Sequence, residues 1–361
     1  MTKGVEKLES IRKQVLKEVI SSEKSYLGSL QSARNNFETP LREKVSSEKK
    51  SILTSFGRLA AVCKESDIDR IFGHIHELIE VSEEFLRRAE PMVEAFVSGA
   101  EKSCFIGRVF LEMSNMFSMF ARYVVAYAEA MDLVATLSKD LLGSPSRFAK
   151  LMEELKPKAN LQTLESLMIT PIQRVPRYIL LLRELIKHTP ECSAELEVLR
   201  QARGAMKVVG KSINERKRQE EEFESLVALD KCFNPPVNIA KRGRILIKQG
   251  VIQRLSGRDR IISCYLHVFS DMMLVSKQHR PNDFEADLIW PFHKIKVVHP
   301  TDQASWGLPR EILLQTGRAF YIRTPFELGA FFAPSPADRD DWLGKINEFI
   351  NIRFSLKPLA N

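Results

Sequence analysis

Residues 167–185 read LMITPIQRVPRYILLLREL, and their spacing predicts a helix with a single apolar face. At about 100° per residue, Tyr178, Leu181, Leu182 and Leu185 share one side, while Arg177 and Glu184 project from its edge. Arg174 falls within the apolar arc. A charge in that position is normally paired, so Arg174 is expected to be a structural arginine bound to a buried acid, with Glu77 one claimant and Glu23 the rival. Pro171 and Pro176 are expected to kink or interrupt the helix, because proline removes an amide donor and crowds the preceding turn. Such a break would shape a ledge for a partner.

The other half of that question lies in the first helical stretch. Val15, Leu16, Val19, Ile20, Tyr26, Leu27 and Leu30 fall on one side of a helix, and Glu23 projects from the centre of their arc. Burying that carboxylate alone would be costly. Either a cation inside the fold neutralises it, or this part of the helix is left uncovered and the carboxylate serves a partner. On the residues alone the internal ion pair is favoured.

Reading outward, the pattern is overwhelmingly helical from about Val5 to Val227, as in an elongated bundle. Asn234-Pro235-Pro236 cannot continue a helix, and from about Lys241 the period changes. Residues 244–255 alternate in part, and residues 264–277 place Ser270-Asp271 between two apolar runs, as in a hairpin. Further strands are expected at 286–290, 294–298, 311–315 and 319–323, giving a small antiparallel barrel or sandwich. One helix closes the chain, with Ser335 as its N-cap and Pro336 in its first turn. Its Trp342, Ile346 and Phe349 recur at helical spacing and should plug the barrel. The expected division is 1–227 for a helical domain, 228–242 for a linker, 243–354 for the β domain and 355–361 for a tail.

These blocks carry a resemblance. Residues 167–185 resemble the signature helix of the Dbl homology domain, the exchange module of Rho-family guanine nucleotide exchange factors. Ser22-Glu23-Lys24-Ser25-Tyr26 resembles the first-helix motif of that family, and residues 71–78 (IFGHIHEL) its next conserved region. Ile247-Lys248-Gln249-Gly250, residues 265–271 (YLHVFSD) and Trp342 are similar to the opening strands and last helix of a pleckstrin homology domain. The resemblance implies an all-α helical bundle followed by a small antiparallel β-barrel or sandwich capped by a C-terminal helix.

It also implies a function. The chain would promote GDP release from a Rho-family small GTPase by differential binding, without covalent chemistry, cofactor or metal. Glu23 would engage switch I, Arg177 would lie near switch II and Asn214 would hydrogen-bond switch II. Ile169, Gln173 and Glu184 would add to the GTPase-binding surface, with isoleucine at 169 leaning towards Rac-like targets. Asn214 flanks the buried edge formed by Ala202, Met206, Val209 and Ile213, beside Gly210, where the lack of a side chain would let another backbone approach. Lys248, Arg258 and Arg260 would hold a phosphoinositide headgroup. A non-catalytic GTPase- or membrane-binding adaptor is the alternative, and it predicts loss of the switch-contacting positions, which are present.

Composition fits this reading. Of 361 residues, 44% are hydrophobic and 28% charged, which excludes a disordered or fibrous chain. The five cysteines are scattered without a CxxC pair, so reduced thiols are expected. The net charge of +8 suits an anionic membrane or an acidic protein better than nucleic acid, since no nucleic-acid motif is visible. No apolar run approaches the roughly 20 residues of a membrane span, so the chain is expected in the cytoplasm, recruited to the inner face of the plasma membrane where lipid binding operates. His74, His76 and Glu77 lack the HExxH spacing of a metallohydrolase, and no GxxxxGK[ST] loop is present.

Overall fold

The computed structural model describes residues 2–52, 62–139, 144–257, 260–298 and 316–355. The chain forms two compact units, Met1–Lys217 and Arg218–Asn361. In the first, amphipathic stretches become helices α1 (Thr2–Ala33), α2 (Thr39–Ile52), α3 (Glu65–Phe72), α4 (Ile75–Ser98), α5 (Ile106–Glu112), α6 (Met119–Leu137), α7 (Arg147–Leu155), α8 (Leu164–Met168) and α9 (Thr170–Lys187). The last, α10 (Ala194–Asp230), contributes its earlier turns to this unit and its end to the second.

The stripes read from the sequence are the faces that pack. Leu16, Val19, Tyr26 and Leu30 of α1 are buried, as are Tyr178, Leu181, Leu182 and Leu185 of α9 and Ala202 and Met206 of α10. Where α4, α5, the turn at 116–118 and α9 meet lies an aromatic centre: Tyr178 sits 5.3 Å from Phe110 and 5.4 Å from Phe117, ring centre to ring centre, and Phe85 sits 5.0 Å from Phe110. Such edge-on and tilted contacts add roughly 0.5–1.5 kcal/mol each beyond area burial. They fix the rotation of α9 and hence the direction in which Arg174 and Arg177 point.

The two prolines act differently from each other. Pro171 stands in the first turn of α9, where its missing amide hydrogen costs nothing. Pro176 lies inside α9 without ending it and faces solvent. The interruption falls instead at Ile169, which closes α8 and opens α9.

The second unit holds a seven-stranded antiparallel sheet in the order β4-β3-β2-β1-β7-β6-β5. Its strands are β1 (Leu246–Ser256), β2 (Arg260–Phe269), β3 (Met272–Arg280), β4 (Asp283–Pro291), β5 (Lys296–Val298), β6 (Ala319–Arg323) and β7 (Leu328–Phe332). Ser270-Asp271 makes the expected turn between β2 and β3, and Asp271 is clamped by Arg244 at 2.8 and 2.9 Å. The strand expected at 311–315 lies outside the described residues. β7 has no counterpart among the expected strands, because its LGAFF run buries consecutive residues rather than alternating ones. Helix α11 (Pro336–Ser355) starts as its cap predicts, with Ser335 Oγ accepting the Asp338 amide at 3.1 Å. Trp342, Ile346 and Ile350 enter the core of the sheet, and Phe349 packs at its margin.

The segment expected as a linker is packed structure. Helix α10 runs on to Asp230, whose carboxylate accepts the Ile239 amide at 3.0 Å. Cys232 and Asn234 then pair with Phe284 at the start of β4, at 2.8 and 2.9 Å, and Phe233 and Ile239 are buried. Phe233 has an aromatic neighbour in Phe284, 5.4 Å away, and that contact is invisible to a reading based on proline punctuation.

Candidate functional site

Glu23 is fully buried. Its Oε2 accepts hydrogen bonds from Arg174 Nε at 2.8 Å, from Arg174 Nη2 and from the Tyr178 hydroxyl at 2.7 Å, while Oε1 accepts from Ser82 Oγ at 2.5 Å. Arg174 also donates through Nη1 to Ser22 Oγ at 3.2 Å and lies over the rings of Tyr178 and Tyr26 at 4.5 and 5.5 Å. One carboxylate therefore joins α1, α4 and α9. Burial raises the Tyr178 phenol well above its usual pKa, and the neighbouring Glu23 charge adds to it. For Arg174, burial works against the charge, but Tyr178 and Glu23 more than offset it and the pKa rises.

This corrects the reading of Glu23 as an uncovered, partner-facing carboxylate. A charge-assisted pair with every oxygen satisfied can be tolerated in a core where a free one cannot. Glu77 is not the partner of Arg174: it is about half exposed and lies 3.3 Å from His74 Nδ1. Its neighbour His76 reaches the buried Glu38 at 3.1 Å. Ser82 was missed, although a serine inside the apolar arc of Leu78, Ile79, Phe85 and Leu86 was a readable sign of a buried polar contact.

What faces outward is the flank of this network. Ser25, Tyr26 and Ser29 of α1, with Thr170, Gln173, Arg174 and Arg177 of α9, line an open groove of about 380 Å³. The Tyr26 hydroxyl is buried against it with no hydrogen-bond partner among the described residues, and burial raises its pKa. Gln173 and Arg177 are exposed, and Arg177 pairs with Glu18, itself about half exposed. An exposed pair of this kind contributes about 0–1 kcal/mol, so releasing Arg177 costs little. Two apolar side chains beside these polar ones are uncovered: Ile169 is 38% exposed and Leu180 44%. Glu184 lies further along α9, partly exposed, 3.5 Å from Arg183 and 3.8 Å from His188.

Asn214 is exposed on α10. One turn earlier, Gly210 meets α9 rather than open space: a Cβ there would lie 3.6 Å from Ile179 Cδ1 and 3.9 Å from Val175 Cγ1, ordinary contact distances. The expected close approach of another backbone at Gly210 is therefore replaced by side chains of the same unit. In the second unit, Lys248 is paired with Asp341 and sits 4.3 Å over the Trp342 ring. Arg260 is exposed, and Arg258 lies outside the described residues. Among the described residues no group of three or more His, Cys, Asp or Glu could hold a metal ion. None of their helices is long and apolar enough to cross a membrane.

The RhoGEF domain matches residues 15–214, from the start of the α1 stripe to Asn214. The chain belongs to the RhoGEF domain family. Among similar proteins are the Rac guanine nucleotide exchange factor JJ of Dictyostelium discoideum, 28% identical over 264 residues, which is 72% of this chain and 20% of that protein. Another is the phosphatidylinositol 3,4,5-trisphosphate-dependent Rac exchanger 1 protein of Mus musculus, 29% identical over 218 residues, 60% of this chain and 12% of that protein. The chain thus spans about a fifth or less of the length of these relatives. Among solved structures, autoinhibited Vav1 superposes with a TM-score of 0.74 at 22% identity, over 95% of this chain and 58% of that one. The DH/PH domains of PDZ-RhoGEF, in complex with GTP-gamma-S activated RhoA, give 0.63 at 19% identity, over 96% and 95%. At these identities the likeness is one of fold, and it extends over both the helical bundle and the sheet of this RhoGEF chain.

Proposed function

We propose that this chain is a guanine nucleotide exchange factor that binds a Rho-family small GTPase and accelerates release of its GDP. The observation that carries the reading is the uncovered edge of α9, where Gln173 and Arg177 stand between Ile169 and Leu180 beside an open groove, within a RhoGEF match that ends at Asn214. Polar groups flanked by exposed apolar ones are the makings of a protein interface. The Rac exchangers among its relatives and the isoleucine at position 169 favour a Rac-like target.

Exchange needs no bond to break. A GTPase that holds nucleotide at picomolar strength holds it by about 16 kcal/mol. A protein that prefers the nucleotide-free form weakens nucleotide binding by the same factor by which nucleotide weakens its own. Arg177, Gln173 and Asn214 supply the polar contacts to the switch regions, Ile169 and Leu180 the apolar ones, and Glu184 extends the surface along α9. Glu23 acts from beneath, holding Arg174 against the groove wall. Arg260 is the exposed cation that supports phosphoinositide binding by the second unit, whereas Lys248 is already held by Asp341 and Trp342.

Burial of Glu23 is the observation that favours the other reading, a GTPase-binding adaptor without exchange activity. Release of a fluorescent nucleotide from a panel of Rho-family GTPases separates the two. Acceleration by this chain, strongest on Rac-type members, is the expected result. Stable binding of nucleotide-free GTPase with no acceleration would establish the adaptor.

A further inference from the structure

Leu161 is 77% exposed, and its backbone is left-handed, with φ at 64° directly after Asn160 at 52°. Asparagine tolerates that region, but a bulky apolar residue there is disfavoured because its Cβ crowds the backbone. Leucine is thus set where both its conformation and its exposure are unfavourable. The turn is nonetheless fixed. The Lys156 carbonyl accepts the Leu161 amide at 3.0 Å, the Ala159 carbonyl accepts the Gln162 amide at 3.0 Å, and buried Ala159 and Leu164 anchor the two sides. Thr163 then caps α8, its Oγ1 accepting the Ser166 amide at 3.1 Å. Strain that the surroundings hold in place clusters where a chain has a function to perform.

The position continues a pattern. Four large apolar side chains of the first unit are exposed among the described residues, and three of them, Leu161, Ile169 and Leu180, fall in the stretch that runs through α8 into α9. Gln173 and Arg177 are exposed between Leu180 and Ile169, and Gln162, Glu165 and Ser166 between Ile169 and Leu161. Apolar and polar groups therefore alternate outward along the whole stretch. Helix α8 has five residues and is about 7.5 Å long, so Leu161 adjoins the Ile169 end of the α9 surface. A standard interface covers roughly 800 Å² of each partner and reaches across so short a helix.

From this we infer that Leu161 is a GTPase-contact residue: it carries the exchange surface past Ile169 and across α8, and meets an apolar patch on the Rho-family partner. Residue 161 lies within the RhoGEF match, and the inference rests on the chain being an exchange factor. Ile169 is already more than half covered, whereas Leu161 stands mostly in water, so of the two Leu161 has the more apolar surface left for a partner to bury. The side chain acts by contact, and the braced turn keeps it projecting before the partner arrives.

The test is nucleotide release from a Rac-type GTPase by the full chain, with affinity for the nucleotide-free GTPase measured alongside. Leu161→Asn suits the left-handed backbone and removes the apolar contact. It should melt at a higher temperature than wild type, yet at sub-saturating concentration release nucleotide about tenfold more slowly and bind the nucleotide-free GTPase about tenfold more weakly. A rate lost by a more stable protein is lost at the contact. Leu161→Met keeps an apolar side chain of similar volume and should retain the wild-type rate and affinity. The inference is overturned if Leu161→Asn exchanges and binds as wild type does. It is equally overturned if Leu161→Met loses as much as Leu161→Asn, for then the turn matters and the side chain does not. Should the wild-type chain bind the GTPase without accelerating release, the exchange reading falls and the comparison of affinities alone decides the role of Leu161. If it binds no Rho-family GTPase, both fall.

Discussion

Glu23 illustrates how much a single residue states and withholds. Its place in an apolar arc made it remarkable only as a pair of alternatives, and the residues alone favoured an internal partner, which Arg174 supplies. Periodicity could show that Arg174 needed an acid, but Glu23 and Glu77 are equally distant possibilities until α1, α4 and α9 are assembled. Replacing Glu23 by Gln leaves a buried guanidinium without its counter-charge, and should lower unfolding free energy by about 3–5 kcal/mol. Chemical unfolding reads this directly, and Glu23→Leu combined with Arg174→Met should recover much of the loss. A Glu23→Gln protein as stable as wild type would show that the pair contributes little. The second unit holds a comparable residue in His267, fully buried between Gln249 at 3.2 Å and Ser276 at 3.1 Å. Burial lowers its pKa from 6.5 to about 4. The unfolded chain therefore binds a proton that the folded chain refuses, so stability is complete above pH 6.5 and falls as pH drops towards 4. The loss is of the order of 3 kcal/mol, and His267→Gln should flatten the pH profile of urea unfolding across that window.

At the scale of elements, periodicity and punctuation served unequally. The stripes of α1, α9 and α10 and the Ser335 cap of α11 were legible because burial has a helical period and capping has fixed chemistry. The end of α10 and strand β7 were not, because Phe233 and the LGAFF run are ordered by contacts from far along the chain. Two glycines give opposite expectations within these elements. In α10, Gly210→Ala places its methyl at ordinary contact with Ile179 and removes the entropy that glycine loses in a helix, so it should stabilise by about 0.5–1 kcal/mol. In β7, a Cβ at Gly329 would lie 2.4 Å from the Trp290 ring, and Gly329→Ala should destabilise by about 1–3 kcal/mol. Thermal unfolding of both variants checks the signs.

At the scale of the whole molecule, the order of a helical bundle before a small sheet was legible, since the change of period near residue 241 needs no tertiary information. The interaction surface was legible only in part. Arg177, Gln173, Ile169 and Asn214 are outward-facing, whereas Glu23 is enclosed, and a stripe pattern cannot say which side of a helix its neighbours leave open. Because Arg177 and Asn214 are solvent-facing, Arg177→Ala and Asn214→Ala should each slow GTPase nucleotide release at least about tenfold, a loss of 1.4 kcal/mol or more in the transition state. Melting temperatures should be unchanged. Equal exchange rates in both variants and wild type would remove these residues from the interface.

The pairing of Cys232 and Asn234 with Phe284 also bears on where this protein can be cut. A sheet margin left with bare amides and carbonyls invites a second strand. Here the chain supplies its own cover at the beginning of β4, so a fragment beginning at Lys241 would lose that guard and should self-associate at concentrations where the intact protein stays dispersed.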